Sequence, residues 1–102
     1  MQVKFTARHF EPRQSLRDTA IALAENFSKF NDDIISTEVI LSLDNEIVKI
    51  AEFIVHVGGQ TLVIKESSDD FQKSVHEAAD KMERQLKRLK DKELSDIRAT
   101  NN

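Results

Sequence analysis

The chain's only two glycines are adjacent, Gly58-Gly59, and apolar residues alternate with polar ones on both sides of them. Two glycines accept the positive φ that a two-residue hairpin turn requires, so the pair fixes where the chain reverses and how the arms meet. Val57 then lies opposite Gln60, Val55 opposite Leu62 and Phe53 opposite Ile64 on one face, while Glu52 meets Lys65 on the other. One register yields an apolar face and a charge pair. That defines an antiparallel hairpin, residues 47–57 and 60–66, with one face buried.

The rest of the chain can be built around this hairpin. Residues 35–43 are rich in β-branched side chains and form a further strand. A three-residue loop at Asp44-Asn45-Glu46 aligns Leu43 with Ile47 and Val39 with Ala51, which keeps Phe53 on the shared face but brings Lys49 there too. At the N-terminus, Val3 and Phe5 alternate with Gln2, Lys4 and Thr6, the period of a half-buried strand. Leu16, Ala20, Leu23, Phe27 and Phe30 recur every three or four residues and predict a helix of about five turns. Pro12 falls in its first turn and Asn31-Asp32-Asp33 ends it. Ser67-Ser68-Asp69-Asp70 supplies cap residues for a second helix of about six turns, with Phe71, Val75, Ala78, Met82, Leu86 and Leu89 as its apolar stripe. The expected fold is βαβββα: a two-layer α/β (α+β) sandwich, one four-stranded sheet with two helices on one face.

A chain of 102 residues with 39% hydrophobic content fits one domain, expected over 1–94 with a disordered tail over 95–102. With no cysteine there is neither a disulfide framework nor a thiolate metal site. No signal sequence opens the chain, and nothing nears the roughly 20 apolar residues of a membrane span, so a soluble, cytoplasmic protein without membrane partners is expected. Catalysis finds little to stand on. His9, His56 and His76 fall in a loop, a strand and a helix, without metal-ligand spacing. Asp32-Asp33 and Asp69-Asp70 read as a helix stop and a helix cap rather than a catalytic dyad. Gly58-Gly59 lacks the further glycines of a phosphate cradle. No catalytic residue, metal, cofactor or small-molecule substrate is expected, and the chain reads as a non-enzyme.

Charge is the feature left to explain. The net charge is −3, yet residues 81–92 hold six bases (Lys81, Arg84, Lys87, Arg88, Lys90, Lys92) against Glu83 and Asp91, a local +4 that leaves −7 elsewhere. On a helical wheel of about 100° per residue, Lys73, Lys81, Arg84, Lys87, Arg88 and Lys92 oppose the apolar stripe. Such an edge can follow phosphates, and it can equally be a solvated face; charge alone leaves both open. Aromatic stacking of bases is not foreseen, because Phe5, Phe27, Phe30, Phe53 and Phe71 fit core positions and Phe10 fits a staple at the start of the first helix.

Several segments together resemble the ribosome hibernation-promoting factor family, also called ribosome-associated inhibitor or sigma-54 modulation protein. They are the opening Met1-Gln2-Val3-Lys4-Phe5-Thr6, Leu16-Arg17, residues 27–34, Val55-His56-Val57-Gly58-Gly59, and above all residues 80–92, similar to the family's Asp-Lys-Leu-x-Arg-Gln-Leu-x-Lys-x-Lys pattern. The resemblance implies a stress or stationary-phase factor whose partners are the small ribosomal subunit and its ribosomal RNA. It would occupy the messenger and transfer RNA channel and inhibit translation by exclusion. Carried over by position, the RNA-binding residues are Lys81, Arg84, Lys87, Arg88, Lys90 and Lys92, with Arg17 and Lys29 on the first helix. The chain departs from the family at Ala7-Arg8-His9, Arg13, Leu23 and Asn26, and at Gln72-Lys73-Ser74 in place of Tyr-Ala-Ala; Arg8 and Arg13 are the candidates to compensate. Its length resembles the short form, which acts alone on single ribosomes or beside a separate ribosome-dimerising factor. Two other readings stand beside this one. One is a protein-binding adaptor or homodimer using Ile40, Ile50, Ile54 and Val63 on the open sheet face; the other is a nonspecific double-stranded RNA binder.

Overall fold

The computed structural model describes the backbone of residues 1–100 and the side chains of residues 1–92. The tail expected over 95–102 lies outside the residues whose side chains are described. The chain forms β1 (Gln2–Arg8), α1 (Gln14–Asn26), a 3-10 turn η1 (Phe27–Lys29), β2 (Ile34–Asp44), β3 (Val48–Val57), β4 (Gln60–Ser68) and α2 (Phe71–Thr100). The strands lie in the order β1-β2-β3-β4, with β1 parallel to β2 and the other pairs antiparallel. This is the expected βαβββα two-layer fold. A parallel pair needs a crossover, and α1 supplies it.

The β3–β4 hairpin has the register that its glycines dictate: Val57↔Gln60, Val55↔Leu62, Phe53↔Ile64 and Glu52↔Lys65. Gly58 and Gly59 sit at φ 53° and 81°, the two positive values of a primed turn. The β2–β3 register corrects the expectation by two residues, with Leu41 opposite Ala51 and Leu43 opposite Lys49. The reversal is made by Asn45 and Glu46, both at positive φ, with the Ile47 amide donating to the Asp44 carbonyl at 3.2 Å. Ile47 therefore leaves the strand and stands 71% exposed in the turn. A shift of two preserves the faces, so Val39, Leu41, Ala51, Phe53 and Val55 are still buried together.

The core lies between this face and the stripes of the two helices. Leu16, Ala20, Ala24 and Phe27 meet it from α1 and η1, and Val75, Ala78, Ala79, Met82 and Leu86 from α2. Phe27 and Phe53 pack edge to face at 5.0 Å. The helix expected over five turns is shorter: α1 ends at Asn26, its last turn tightens into η1, and Pro12 precedes it, next to an N-cap Arg13 that makes no side-chain cap bond. Phe10 staples a different helix from the one expected, stacking on Phe71 at the start of α2 with centroids 4.4 Å apart.

The start of α2 is tied to β3 and β4 by a polar knot. Asp70 Oδ1 accepts from the Gln72 amide at 2.9 Å, the side-chain cap expected of it. Ser74, fully buried, donates through Oγ to the Lys49 carbonyl at 2.7 Å and lies 2.6 Å from Ser68 Oγ. Lys49 Nζ in turn donates to the Asp69 carbonyl at 3.1 Å. A lysine on the helix-covered face is thus accommodated by reaching the rim.

Candidate nucleic-acid interface

Since β1 and β4 are opposite edges and each helix follows one of them, α1 covers the β1 side and α2 the β4 side, running in the same direction. Leu86 is the last fully buried residue of α2 among those described, Leu89 is half-buried, and Lys90, Asp91 and Lys92 are exposed. At about 1.5 Å per residue, α2 outruns the sheet, and the molecule extends over 56 × 22 × 18 Å.

Taking Met82 as the centre of the buried stripe, Lys87 lies about 140° to one side and Lys90 about 80° to the same side; Arg84, Arg88, Lys81 and Lys92 lie about 160°, 120°, 100° and 80° to the other. The contacts agree with this fan. Lys87 leans toward α1, its Nζ 3.0 Å from Glu83 Oε1 and 4.9 Å from the centre of the Phe30 ring. Lys81 leans toward the β4 edge and pairs with Glu66. Arg84 and Arg88 are exposed on the crest between them, and neither forms an ion pair with a described residue. The six cations expected to act together therefore share one helix but divide into a crest and two flanks.

The two candidates on the first helix part company. Arg17 sits 5.4 Å over the Phe5 ring on β1, the sheet edge remote from β4, and so is not brought to the α2 crest. Lys29 is exposed in η1, next in sequence to Phe30, the ring that Lys87 covers. Arg13 lines a cleft with Asp69 and Asp70, and Arg8 lies on the open sheet face opposite Ser42. Neither extends the crest. Sequence reasoning gave the helix, and a wheel gave its outward side; which cations are tied down depends on Glu66 and Phe30, which are distant in sequence.

None of the six phenylalanines is fully exposed: Phe27 and Phe53 are buried, and Phe5, Phe10, Phe30 and Phe71 are half-buried. The open sheet face also falls short of the continuous apolar patch expected of it. Ile40 is only 6% exposed and Ile50 and Ile54 are half-covered, leaving Val63, at 52%, the exposed member of the four. Charged residues interrupt the apolar ones: Lys4 Nζ is 3.9 Å from Glu38 Oε2, and Glu52 stands opposite Lys65. Among the described residues no group of three or more His, Asp or Glu side chains is placed to hold a metal, and no helix is long and apolar enough to cross a membrane.

The βαβββα scaffold is what the comparisons with known proteins share. The family model described as sigma 54 modulation protein / S30EA ribosomal protein matches residues 3–93, and the chain belongs to that family. It is 30% identical over 95 residues to the ribosome hibernation promoting factor of Pseudomonas putida, covering 93% of this chain and 92% of that one. Among solved structures, a ribosomal subunit interface protein from Coxiella burnetii superposes with a TM-score of 0.79 at 26% identity, over 88% of this chain and 98% of that one. The N-terminal domain of Protein Y from Thermus thermophilus does so with a TM-score of 0.77 at 26% identity, over 87% and 99% respectively.

Proposed function

We propose that this protein is a ribosome-binding hibernation factor of the cytoplasm that docks by the outer face of α2 on ribosomal RNA of the small subunit. There it occupies the messenger and transfer RNA channel and holds translation off under stress or in stationary phase. The observation that carries the reading is the Arg84–Arg88 crest: two exposed arginines about one turn, or 6 Å, apart along a helix whose other side is locked into the core, neither of them paired with a described residue. The family and the relatives' names supply the target. The mode of action is steric and needs no chemistry from the chain, since a body that fills the channel excludes the ligands that use it.

The test is gradient sedimentation of purified ribosomes with and without the protein, joined to a translation assay. Cosedimentation with the small subunit, loss of transfer RNA binding and inhibited translation are expected. Equal affinity for any RNA duplex and for ribosomes would instead establish the nonspecific duplex binder. Formation of ribosome dimers by the chain alone, or only beside a separate dimerising factor, would be read from the same gradients.

A further inference from the structure

Two of the six cations of residues 81–92 already have a carboxylate partner within the chain. The Lys81 partner, Glu66, belongs to the helix-covered face of β4, and its side chain is only 19% exposed, against 52% for Lys81. Were Lys81 to swing onto a phosphate, Glu66 would remain sheltered from water without its cation, which is more unfavourable than parting two exposed charges. Lys87 is held twice, by Glu83 one turn before it and by the Phe30 ring. The Glu-before-Lys order is the favourable one on a helix, and the ring face adds its own attraction. Among the described residues nothing restrains Arg84 or Arg88 in either way, although Asp80 lies one turn before Arg84 without bridging to it.

We propose that Glu66 and Glu83 set the affinity of the α2 face by withholding Lys81 and Lys87, so that a polyanion is gripped by Arg84 and Arg88. The inference rests on the docking face proposed above and adds which of its charges act there. Glu66 is a positioning residue, acting on RNA only through Lys81. Glu83 has the same role toward Lys87, the more weakly because its side chain, 32% exposed, is better hydrated.

The test uses the full chain and single substitutions to glutamine at Lys81, Lys87, Arg84, Arg88 and Glu66. Binding is measured over a range of salt to poly(U) and to purified small ribosomal subunits. A cation that releases counterions on binding contributes about 0.7 to 0.9 to the slope of log affinity against log salt. Arg84→Gln and Arg88→Gln are each expected to reduce the slope by that amount. Lys81→Gln and Lys87→Gln should leave it unchanged, and Glu66→Gln should steepen it by one such increment as Lys81 is released. A Lys81→Gln slope reduced as far as that of Arg84→Gln would overturn the inference, as would a folded Glu66→Gln variant with the parent slope. Should Glu66→Gln fail to fold, the lysine and arginine arms decide alone. A parent chain that binds poly(U) but not subunits overturns the docking target and leaves the division of charges readable; one that binds neither overturns both.

Discussion

Replacing Ser74 by alanine removes a hydroxyl from the point where α2 is tied to the sheet. The substitution is instructive because alanine is the residue that the family resemblance leads one to expect there. In this chain Ser74 is fully buried; its Oγ donates to the Lys49 carbonyl at 2.7 Å and sits 2.6 Å from Ser68 Oγ. Each hydrogen bond is worth a net ~0.5 to 1.5 kcal/mol, and a carbonyl left buried without its donor adds a desolvation penalty. The single Ser68 Oγ proton is shared between Ser74 Oγ and the Asp70 carbonyl 2.7 Å away, so without Ser74 it passes to Asp70 and the loss is concentrated at Lys49. The sum is about 2 kcal/mol, which for a domain of this size lowers the thermal midpoint by about 8 to 16 °C. Circular dichroism melts of the parent and Ser74→Ala proteins measure it, and adding Ser68→Ala closes a double-mutant cycle in which the pair should couple by at least about 0.5 kcal/mol. A midpoint lowered by less than about 3 °C, with no coupling, would refute the claim that this knot holds α2 in register.

Three further outcomes follow from the packing. Phe53→Ala removes a fully buried ring in edge contact with Phe27 and should cost about 3 to 5 kcal/mol in urea unfolding. Gly59→Ala places a Cβ in open space at φ +81°, so its cost, about 1 to 2 kcal/mol, should be backbone strain alone, visible as a lower melting temperature with an unchanged fold. Val63→Lys on the open sheet face should change stability by no more than about 0.5 kcal/mol and leave ribosome cosedimentation intact; loss of binding there would transfer the function to the sheet.

Where local rules were decisive, the sequence was a sufficient guide. Two adjacent glycines permit one tight turn, and so the β3–β4 register was legible residue by residue. At the other hairpin the turn is made by Asn45 and Glu46 at positive φ, a conformation that L-residues rarely adopt, and its position could not be read from glycine spacing. The resulting error was two residues, which leaves every side chain on its proper face. The apolar stripes of both helices were legible because burial enforces their period, whereas the tightening of α1 into η1 arises where Phe27 and Phe30 turn into the core. The basic side of α2 was legible for the same reason as its apolar side. Its division was not, since the Lys81–Glu66 pair and the Lys87–Phe30 contact join residues brought together only by the fold.

That division determines the variant that tests the central claim. Reversing Lys87 would set two glutamates one turn apart and strip the cation from Phe30, confusing a loss of binding with a loss of packing. Arg84 and Arg88 carry no such duty toward any described residue. The direct measurement is therefore cosedimentation of Arg84→Glu/Arg88→Glu protein with purified small ribosomal subunits at several salt concentrations, beside a melting curve of the same variant. The account predicts a parental melting midpoint and no protein in the subunit fraction at any of these salt concentrations. A folded variant that cosediments like the parent would contradict it.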